Sequence, residues 1–181
     1  YGHFVLSSGL HSDTYFQCAK VLQYPKYLSL FGEILADHFS SQEIDKVISP
    51  AIGGIVLGTE VGRRLNKKTI FSERSDGDMK LRRGFDIKKG EKILIIEDVL
   101  STGGSIKEVI ELINKYEGDL VGVGVIVDRS LTRVFIHDNY FSVTTQKAQI
   151  FDKNNVPKDL INIPAIKPGS NTIISDAIEL D

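Results

Sequence analysis

The sequence predicts an α/β protein built on a doubly wound parallel sheet with helices on both faces. Short, continuously apolar segments alternate with amphipathic helical segments along most of the chain. Glycine-rich turns stand where the predicted strands lead into the predicted helices. The 181 residues, 41% of them hydrophobic and 25% charged, suffice for an enzyme-sized core and exclude a disordered or fibrous chain.

The first half of the chain supplies two predicted helices and two predicted strands. Residues 25–39 carry apolar side chains at helical spacing behind a proline, which suits a helix start. The short apolar segment 46–50 predicts a strand, and the glycine pair 53–54 opens the second helix. Residues 69–72 predict the next strand. Residues 73–84 are polar and charged with two glycines, and they predict a loop.

The second half contains the strongest strand, at residues 92–96, which we expect to be buried on both faces and to end at Glu97 and Asp98. A glycine turn leads into an amphipathic helix, for which Gly118 is the expected left-handed terminating residue. Residues 121–127 predict another buried strand. From Phe141 onwards polar and apolar residues alternate among prolines, which indicates a small β appendage.

Composition and charge exclude several classes of protein. The single cysteine, Cys18, rules out an internal disulfide and a Cys-x-x-Cys zinc site, and it favours a reducing, cytoplasmic location. The apolar runs are too short to span a bilayer, so we expect no membrane association. The net charge of −2 gives no general attraction to nucleic acid. The four histidines show no metal-ligand spacing, so we expect no metal held by the protein alone.

Residues 93–105 carry the most informative motif. A buried strand brings Glu97 and Asp98 to the edge of the sheet, and a turn rich in glycine and hydroxyl groups, residues 101–105, enters a helix. Such a turn can direct successive backbone N–H groups at one phosphate. The carboxylates would repel the phosphate, so sugar hydroxyls or a divalent cation are their expected partners. Adjacent strand residues face opposite ways, so both can reach one sugar only if the strand ends there.

Two glycine patterns argue against ATP and NAD. Residues 53–58 have the glycine spacing of a P-loop, but Thr59 and Glu60 replace the lysine and hydroxyl residue that nucleotide phosphates need. The Gly122-Val123-Gly124 segment lies within a predicted strand, where a dinucleotide fingerprint does not occur.

The 93–105 motif resembles the phosphoribosyl diphosphate signature of type I phosphoribosyltransferases. Other segments are similar, in the same order, to segments of orotate phosphoribosyltransferases: Gly2–Phe4, Leu6–Gly9, Tyr15-Phe16, Ser49–Gly54, Leu81–Phe85, Val127–Arg129 and Ile163–Ser170. The resemblance implies a type I phosphoribosyltransferase-like fold in a single domain. Its core would occupy about residues 25–130, and a small β hood would be formed by residues 1–24 and 140–181.

The resemblance also implies an activity. It is transfer of the 5-phosphoribosyl group from 5-phospho-α-D-ribose 1-diphosphate to orotate, giving orotidine 5′-monophosphate and diphosphate in de novo pyrimidine (UMP) biosynthesis. Mg²⁺ would be held mainly through the substrate diphosphate and the ribose hydroxyls. The enzyme would be a homodimer with shared active sites.

By the same resemblance, Glu97 and Asp98 hold the ribose hydroxyls, and residues 101–105 surround the 5-phosphate. The implied catalytic residues are Glu97, Asp98, Lys80, Arg82 and Arg83. The implied phosphoribosyl diphosphate contacts are Ala51, Ile52, Gly53, Gly54, Arg74, Glu97, Asp98, Val99, Leu100, Ser101, Thr102, Gly103, Gly104 and Ser105. The implied orotate contacts are Tyr15, Phe16, Ser101 and Arg129.

The chain departs from the family at some positions. Many orotate enzymes carry lysine where this chain has Ser7 and Gly53, and they have a lysine-rich loop with a histidine in place of residues 73–84. The basic residues available here as substitutes are Arg74, Lys80, Arg82 and Arg83. We expect the segment that carries them to be a lid over the diphosphate.

Alternatives stay open for several residues and for the function. Arg129 could be a surface ion-pair residue, Tyr15 and Phe16 could be ordinary packing, and residues 73–84 could be only a solvated connection. The chain could transfer phosphoribose to another base. It could also be a regulatory protein that keeps the fold in order to sense phosphoribosyl diphosphate.

Overall fold

The computed structural model describes residues 2–6, 9–130 and 135–167. The chain divides into two compact units, a core unit of residues 17–146 and a hood unit of residues 1–16 and 147–181. Within the described ranges, no helix has both the length and the apolar character needed to cross a membrane. In chain order the elements are β1 (Phe4–Val5), β2 (His11–Ser12), α1 (Ala19–Leu22), α2 (Pro25–Phe39), β3 (Lys46–Pro50), α3 (Gly53–Leu65), β4 (Lys68–Ser75), β5 (Asp78–Leu81), β6 (Lys92–Leu100), α4 (Gly104–Lys115), β7 (Asp119–Asp128), β8 (Tyr140–Thr145) and β9 (Ile150–Phe151).

The core unit confirms the predicted α/β class. Its six-stranded sheet has the order β5-β4-β3-β6-β7-β8, and all neighbours are parallel except β5, which runs antiparallel to β4. From β3 the chain proceeds outward to β4, whereas from β6 it proceeds in the opposite direction to β7. Ligands of such sheets bind where the order reverses, at the carboxyl ends of the central strands. Here that place lies at the ends of β3 and β6.

Both faces of the sheet are covered. On one face, Ile106, Val109 and Ile113 of α4 join a buried cluster with alternate residues of the central strands, such as Ile95. On the other face, α2 and α3 pack side by side. Glycines of β7 make room there for α2, because a Cβ on Gly122 would lie 2.7 Å from the Phe39 ring. The glycines of this strand therefore serve packing.

The helix predictions hold except at one terminus. Helix α2 covers residues 25–39 as predicted, and α3 starts at the glycine pair. The expectation that Gly118 takes the left-handed conformation is wrong, because α4 ends at Lys115 and Glu117 is the residue with positive φ, at 56°. Packing, and not backbone conformation, favours glycine at position 118. A Cβ there would lie 2.8 Å from Cγ2 of Ile87.

The predicted loop at residues 73–84 is wrong, since most of this segment forms a β-hairpin. Strand β4 continues to Ser75, and β5 returns antiparallel with Ser75 opposite Asp78. The connecting residues Asp76 and Gly77 both have positive φ, 56° and 89°. This two-residue Asp-Gly turn matches the right-handed twist of the strands.

The hood unit contains the small β sheet that was expected. Strands β1, β2 and β9 form an antiparallel sheet in that order, with Phe4 opposite Ser12 and His11 opposite Phe151. The expected hood boundaries differ from those observed, because α1 and β8 belong to the core unit. Strand β8 lies at the edge of the core sheet and is only half-buried, and its mixed polar and apolar sequence did not indicate a parallel strand.

Candidate active site

A turn connects β6 to α4 and has the backbone features of an anion site. Gly103 is the N-cap residue of α4 and is left-handed, with φ of 77°. It has no side chain that could accept from the first N–H groups of the helix, and the first helical turn carries no acidic residue. The free N–H groups and the helix dipole therefore favour a bound anion.

The acidic pair lies just before this turn, but the expectation that the strand ends there is wrong. Strand β6 continues through Leu100, which pairs with Asp128 of β7. Strand alternation then sends neighbouring side chains to opposite faces. The Asp98 carboxylate is on the α3 side, beside Gly53. A single sugar can meet both carboxylates only by spanning the edge of the sheet, so their shared role stays a prediction.

The two carboxyl groups have perturbed acidities. Burial and the negative charge of Asp98 raise the pKa of Glu97 to about 8. Burial also raises the pKa of Asp98, although backbone N–H groups oppose this shift; the Val99 N–H donates to Asp98 Oδ1 at 3.0 Å. These shifts mean that a bound cation or hydroxyl donor would stabilise the ionised forms.

The loop at residues 51–54, at the end of β3, contacts the acidic pair directly. The Ala51–Ile52 peptide bond is cis, and the Ala51 N–H donates to the Ser72 carbonyl at 2.7 Å. A Cβ on Gly53 would lie 2.7 Å from Asp98 Oδ2, and one on Gly54 would lie 3.1 Å from a carbonyl of β6. The structure thus brings together two segments that the sequence analysis proposed for one ligand.

Arg129 follows β7 next to the turn after β6. Its backbone N–H donates to the Leu100 carbonyl at 2.9 Å, so Ser101 and Arg129 leave adjacent parallel strands at the same level. Arg129 is only 3% exposed. Arg129 is therefore not a surface residue, and its role towards orotate stays a prediction.

Tyr15 and Phe16 belong to the hood unit and are half-buried. The Tyr15 ring lies 5.8 Å from the ring of Phe4, between centroids. This contact is ordinary packing within the hood, and a role of either residue towards the base stays a prediction. Ser7, Ser8 and residues 168–170 of the family-like segments lie outside the described residues.

The four basic residues in and after the hairpin already have acidic partners. The pairs are Arg74 with Glu108 at 2.7 Å, Lys80 with Asp76 at 3.4 Å, Arg82 with Glu73 at 3.7 Å and Arg83 with Glu73 at 3.2 Å. All four basic side chains are at least 41% exposed. The Lys80–Asp76 pair is exposed on both sides and is weak, so a polyanionic ligand can replace Asp76 at small cost. Glu73 is only 18% exposed, so drawing Arg82 and Arg83 away from it costs more.

Cys18 is a neighbour of the site that sequence reasoning missed. Its thiol is buried and lies 4.0 Å from the Asp98 carbonyl oxygen. Burial, with a smaller contribution from Asp98, raises the pKa of the thiol to about 12, so it stays neutral. The contact joins residues 80 positions apart, and no local pattern announces it.

Comparisons with known proteins identify the family of the chain. Residues 18–160 match the phosphoribosyl transferase domain family. The chain is 53% identical over 169 residues to the orotate phosphoribosyltransferase of Thermoanaerobacter sp. (strain X514), covering 93% of this chain and 89% of that protein.

Two solved structures show the same fold. One is the orotate phosphoribosyltransferase from Aeropyrum pernix, with a TM-score of 0.63 and 24% identity over 80% of this chain and 85% of that chain. The other is an adenine phosphoribosyltransferase from Thermoanaerobacter pseudethanolicus, with a TM-score of 0.62 and 16% identity over 73% of this chain and 88% of that chain. The fold thus occurs with different bases, and the sequence relatives decide between them. By that identity and coverage, the chain belongs to the orotate phosphoribosyltransferase family.

Proposed function

We propose that the chain transfers the 5-phosphoribosyl group of 5-phospho-α-D-ribose 1-diphosphate to orotate, in pyrimidine biosynthesis, at the carboxyl ends of β3, β6 and β7. The observation that supports this most is the contact between Gly53 and the Asp98 carboxylate. It supports a single site in which the loop at residues 51–54, Asp98 as the proposed sugar-binding carboxylate and residues 101–105 as the proposed phosphate-binding turn act on one ligand.

The chemistry needs positioning and charge more than a nucleophilic side chain. Loss of diphosphate from C1 of ribose builds positive charge on the sugar and negative charge on the leaving group. Residues 101–105 hold the 5-phosphate through backbone N–H groups, and Asp98 accepts from a ribose hydroxyl. These groups are fixed before the reaction, so they stabilise the transition state without reorganising.

The residues present fit a Mg²⁺ ion that is shared with the substrate. Among the described residues, no cluster of three or more His, Cys, Asp or Glu side chains could hold a metal by itself. Mg²⁺ commonly takes one or two carboxylates and completes its shell with waters and substrate phosphates. Because β6 continues through this pair, Glu97 and Asp98 face opposite sides of the sheet and would not both bind one ion, so Mg²⁺ would be held mainly through the substrate diphosphate and the ribose hydroxyls. When bound, the ion would add positive charge beside the departing diphosphate.

Arg129 reads the substrate carboxylate in this proposal. A planar guanidinium offers two parallel donors to a carboxylate, which gives both attraction and orientation. Burial of Arg129 strengthens such a contact, because the local dielectric is low. Ser101, on the neighbouring strand end, completes this part of the base site. A base without a carboxylate would gain nothing from Arg129.

Lys80 in the hairpin and Arg82 and Arg83 after it serve the diphosphate, and we propose that they do so across a two-fold dimer. Mixing tests this: an Asp98→Asn chain is combined with a chain in which Lys80, Arg82 and Arg83 are alanine. If the residues act across the interface, a mixed dimer has one intact site, and activity returns to about half per dimer. No return of activity, with subunit exchange verified, contradicts the shared site.

The expected cytoplasmic location stays a prediction.

Product analysis tests the activity itself. The purified chain is incubated with phosphoribosyl diphosphate, Mg²⁺ and either orotate, uracil or adenine, and nucleotides are separated by chromatography. We expect orotidine 5′-monophosphate from orotate alone. Transfer to another base would contradict the proposed substrate. Binding of phosphoribosyl diphosphate without transfer to any base would indicate a regulatory protein.

A further inference from the structure

We propose that Asp128, Ser130 and Tyr140 form a clamp that holds Arg129 in the position from which it reads the carboxylate of orotate. The inference rests on the proposed role of Arg129 and extends it to three positioning residues. None of the three needs to touch the substrate.

The Asp128 carboxylate joins the residues on both sides of Arg129. Its Oδ1 accepts from the Ser130 N–H at 2.9 Å and from the Ser130 hydroxyl at 2.7 Å. Its Oδ2 accepts from the Tyr140 hydroxyl at 2.9 Å. Both carboxylate oxygens are therefore used, and one of the donors comes from the neighbouring strand, β8.

The peptide unit that joins Asp128 to Arg129 is also held at both ends. The Arg129 N–H donates to Leu100 of β6, and the Gln146 N–H donates to the Asp128 carbonyl at 2.8 Å. The segment that presents the guanidinium is thus bonded to both flanking strands. A long, flexible side chain gains accuracy when its own backbone and neighbours are held in this way.

Tyr140 is suited to a permanent donor role. The side chain packs partly against the buried cluster beneath α4, and its hydroxyl points to Asp128. Burial and the Asp128 carboxylate raise the pKa of Tyr140 above its usual range, so the hydroxyl stays protonated. A charge-assisted bond to a carboxylate is stronger than a neutral one.

The test compares two product nucleotides that differ only by the carboxylate that Arg129 reads. Dissociation constants are measured by calorimetry for orotidine 5′-monophosphate and uridine 5′-monophosphate. The ratio of the two constants is independent of the fraction of folded protein, so it isolates carboxylate recognition. We expect Tyr140→Phe and Ser130→Ala each to lower the preference for orotidine 5′-monophosphate roughly threefold to tenfold.

Two variants serve as matched controls. Ser130→Thr keeps the hydroxyl and should keep the preference. Tyr116→Phe removes a hydroxyl from a partly exposed tyrosine at the end of α4 and should also keep it.

Three outcomes of these measurements support or contradict the clamp. Lower preference in Tyr140→Phe and Ser130→Ala, but not in the controls, supports the clamp. An unchanged preference in both of these variants, beside a clear preference in the wild type, overturns it. A wild type that does not prefer orotidine 5′-monophosphate overturns the role of Arg129 and with it the clamp.

Discussion

Replacing Gly53 by alanine should damage activity while leaving stability unchanged or slightly higher. The added Cβ would lie 2.7 Å from Asp98 Oδ2 and 2.9 Å from both Asp98 Cγ and Oδ1. Because ordinary contact begins near 3.4 Å, the Asp98 carboxylate has to move by about 0.7 Å. The colliding atoms are the end of the Asp98 side chain, which can rotate away at low cost. Gly53 is also the first residue of α3, where alanine favours the helix.

The expected loss follows from that displacement. A misplacement near 1 Å in an active site commonly costs about 10²-fold in rate, so we expect kcat/KM for phosphoribosyl diphosphate to fall on the order of 10- to 10²-fold. Initial rates of orotidine 5′-monophosphate formation give the activity, and thermal melts give the stability. The matched variant is Gly32→Ala in α2, where the new Cβ would meet the Glu60 side chain of α3 and not a residue of the candidate site. The loss of kcat/KM in this variant should be much smaller.

A double-mutant cycle shows whether the effect acts through Asp98. In an Asp98→Asn background, Gly53→Ala should cost far less than in the wild type, because residues in contact are coupled. Full additivity, or wild-type activity in Gly53→Ala, would refute the reasoning that the loop positions this carboxylate.

Three further perturbations have defined outcomes. The pKa of Glu97 rises from 4.5 to about 8 on folding, so the folded state keeps a proton that the unfolded state loses in this window. Stability of the ligand-free protein should therefore fall as pH rises from 4.5 to 8, and melts in EDTA should show a smaller fall for Glu97→Gln. Lys46 is 3% exposed, and its Nζ lies 2.8 Å from Glu91 Oε2. Changing Lys46 to methionine should lower the free energy of unfolding, measured in urea, by about 3 kcal/mol. The KM values should not change, because Lys46 is the first residue of β3 and lies far from the carboxyl end of the strand. Arg129→Ala should raise KM for orotate about tenfold or more, and KM for phosphoribosyl diphosphate much less, in steady-state assays; equal changes would mean that Arg129 shapes the site generally.

Local patterns were enough to predict the elements around the sheet centre. Strand β3, helix α2 and the start of α3 lie where apolar periodicity and glycine placed them. The hairpin at Asp76 and Gly77 was missed although its Asp-Gly signal is present, because the charged composition of the segment received more weight than the turn residues. The end of β6 was missed for a related reason. A polar residue does not end a strand whose backbone partners continue, as those of β6 do along β7.

Contacts between distant parts of the sequence could not be predicted in the same way. Three contacts depend on which strands become neighbours. They are the packing of Gly53 on the Asp98 carboxylate, the contact of the Cys18 thiol with the Asp98 carbonyl oxygen and the hydrogen bond from Tyr140 to Asp128. The strand order supplies that information, and no window of sequence contains it. The family resemblance indicated which residues share a ligand, whereas the structure shows how the core residues among them are held.

The parallel strands β3 and β6 have their candidate site segments at their carboxyl ends and other connections at their amino ends, and insertions are better tolerated at the amino ends. Residues 40–45 precede β3 and residues 88–91 precede β6, so both connections lie at the amino ends of the strands. The turn at residues 101–105, the loop after β3 and Arg129 all lie at the opposite ends of the strands. New termini or an inserted module at an amino-end connection would leave every backbone donor of the site in place. These connections offer an engineer insertion points that are remote from the candidate active site, provided that Glu91, the partner of buried Lys46, is kept.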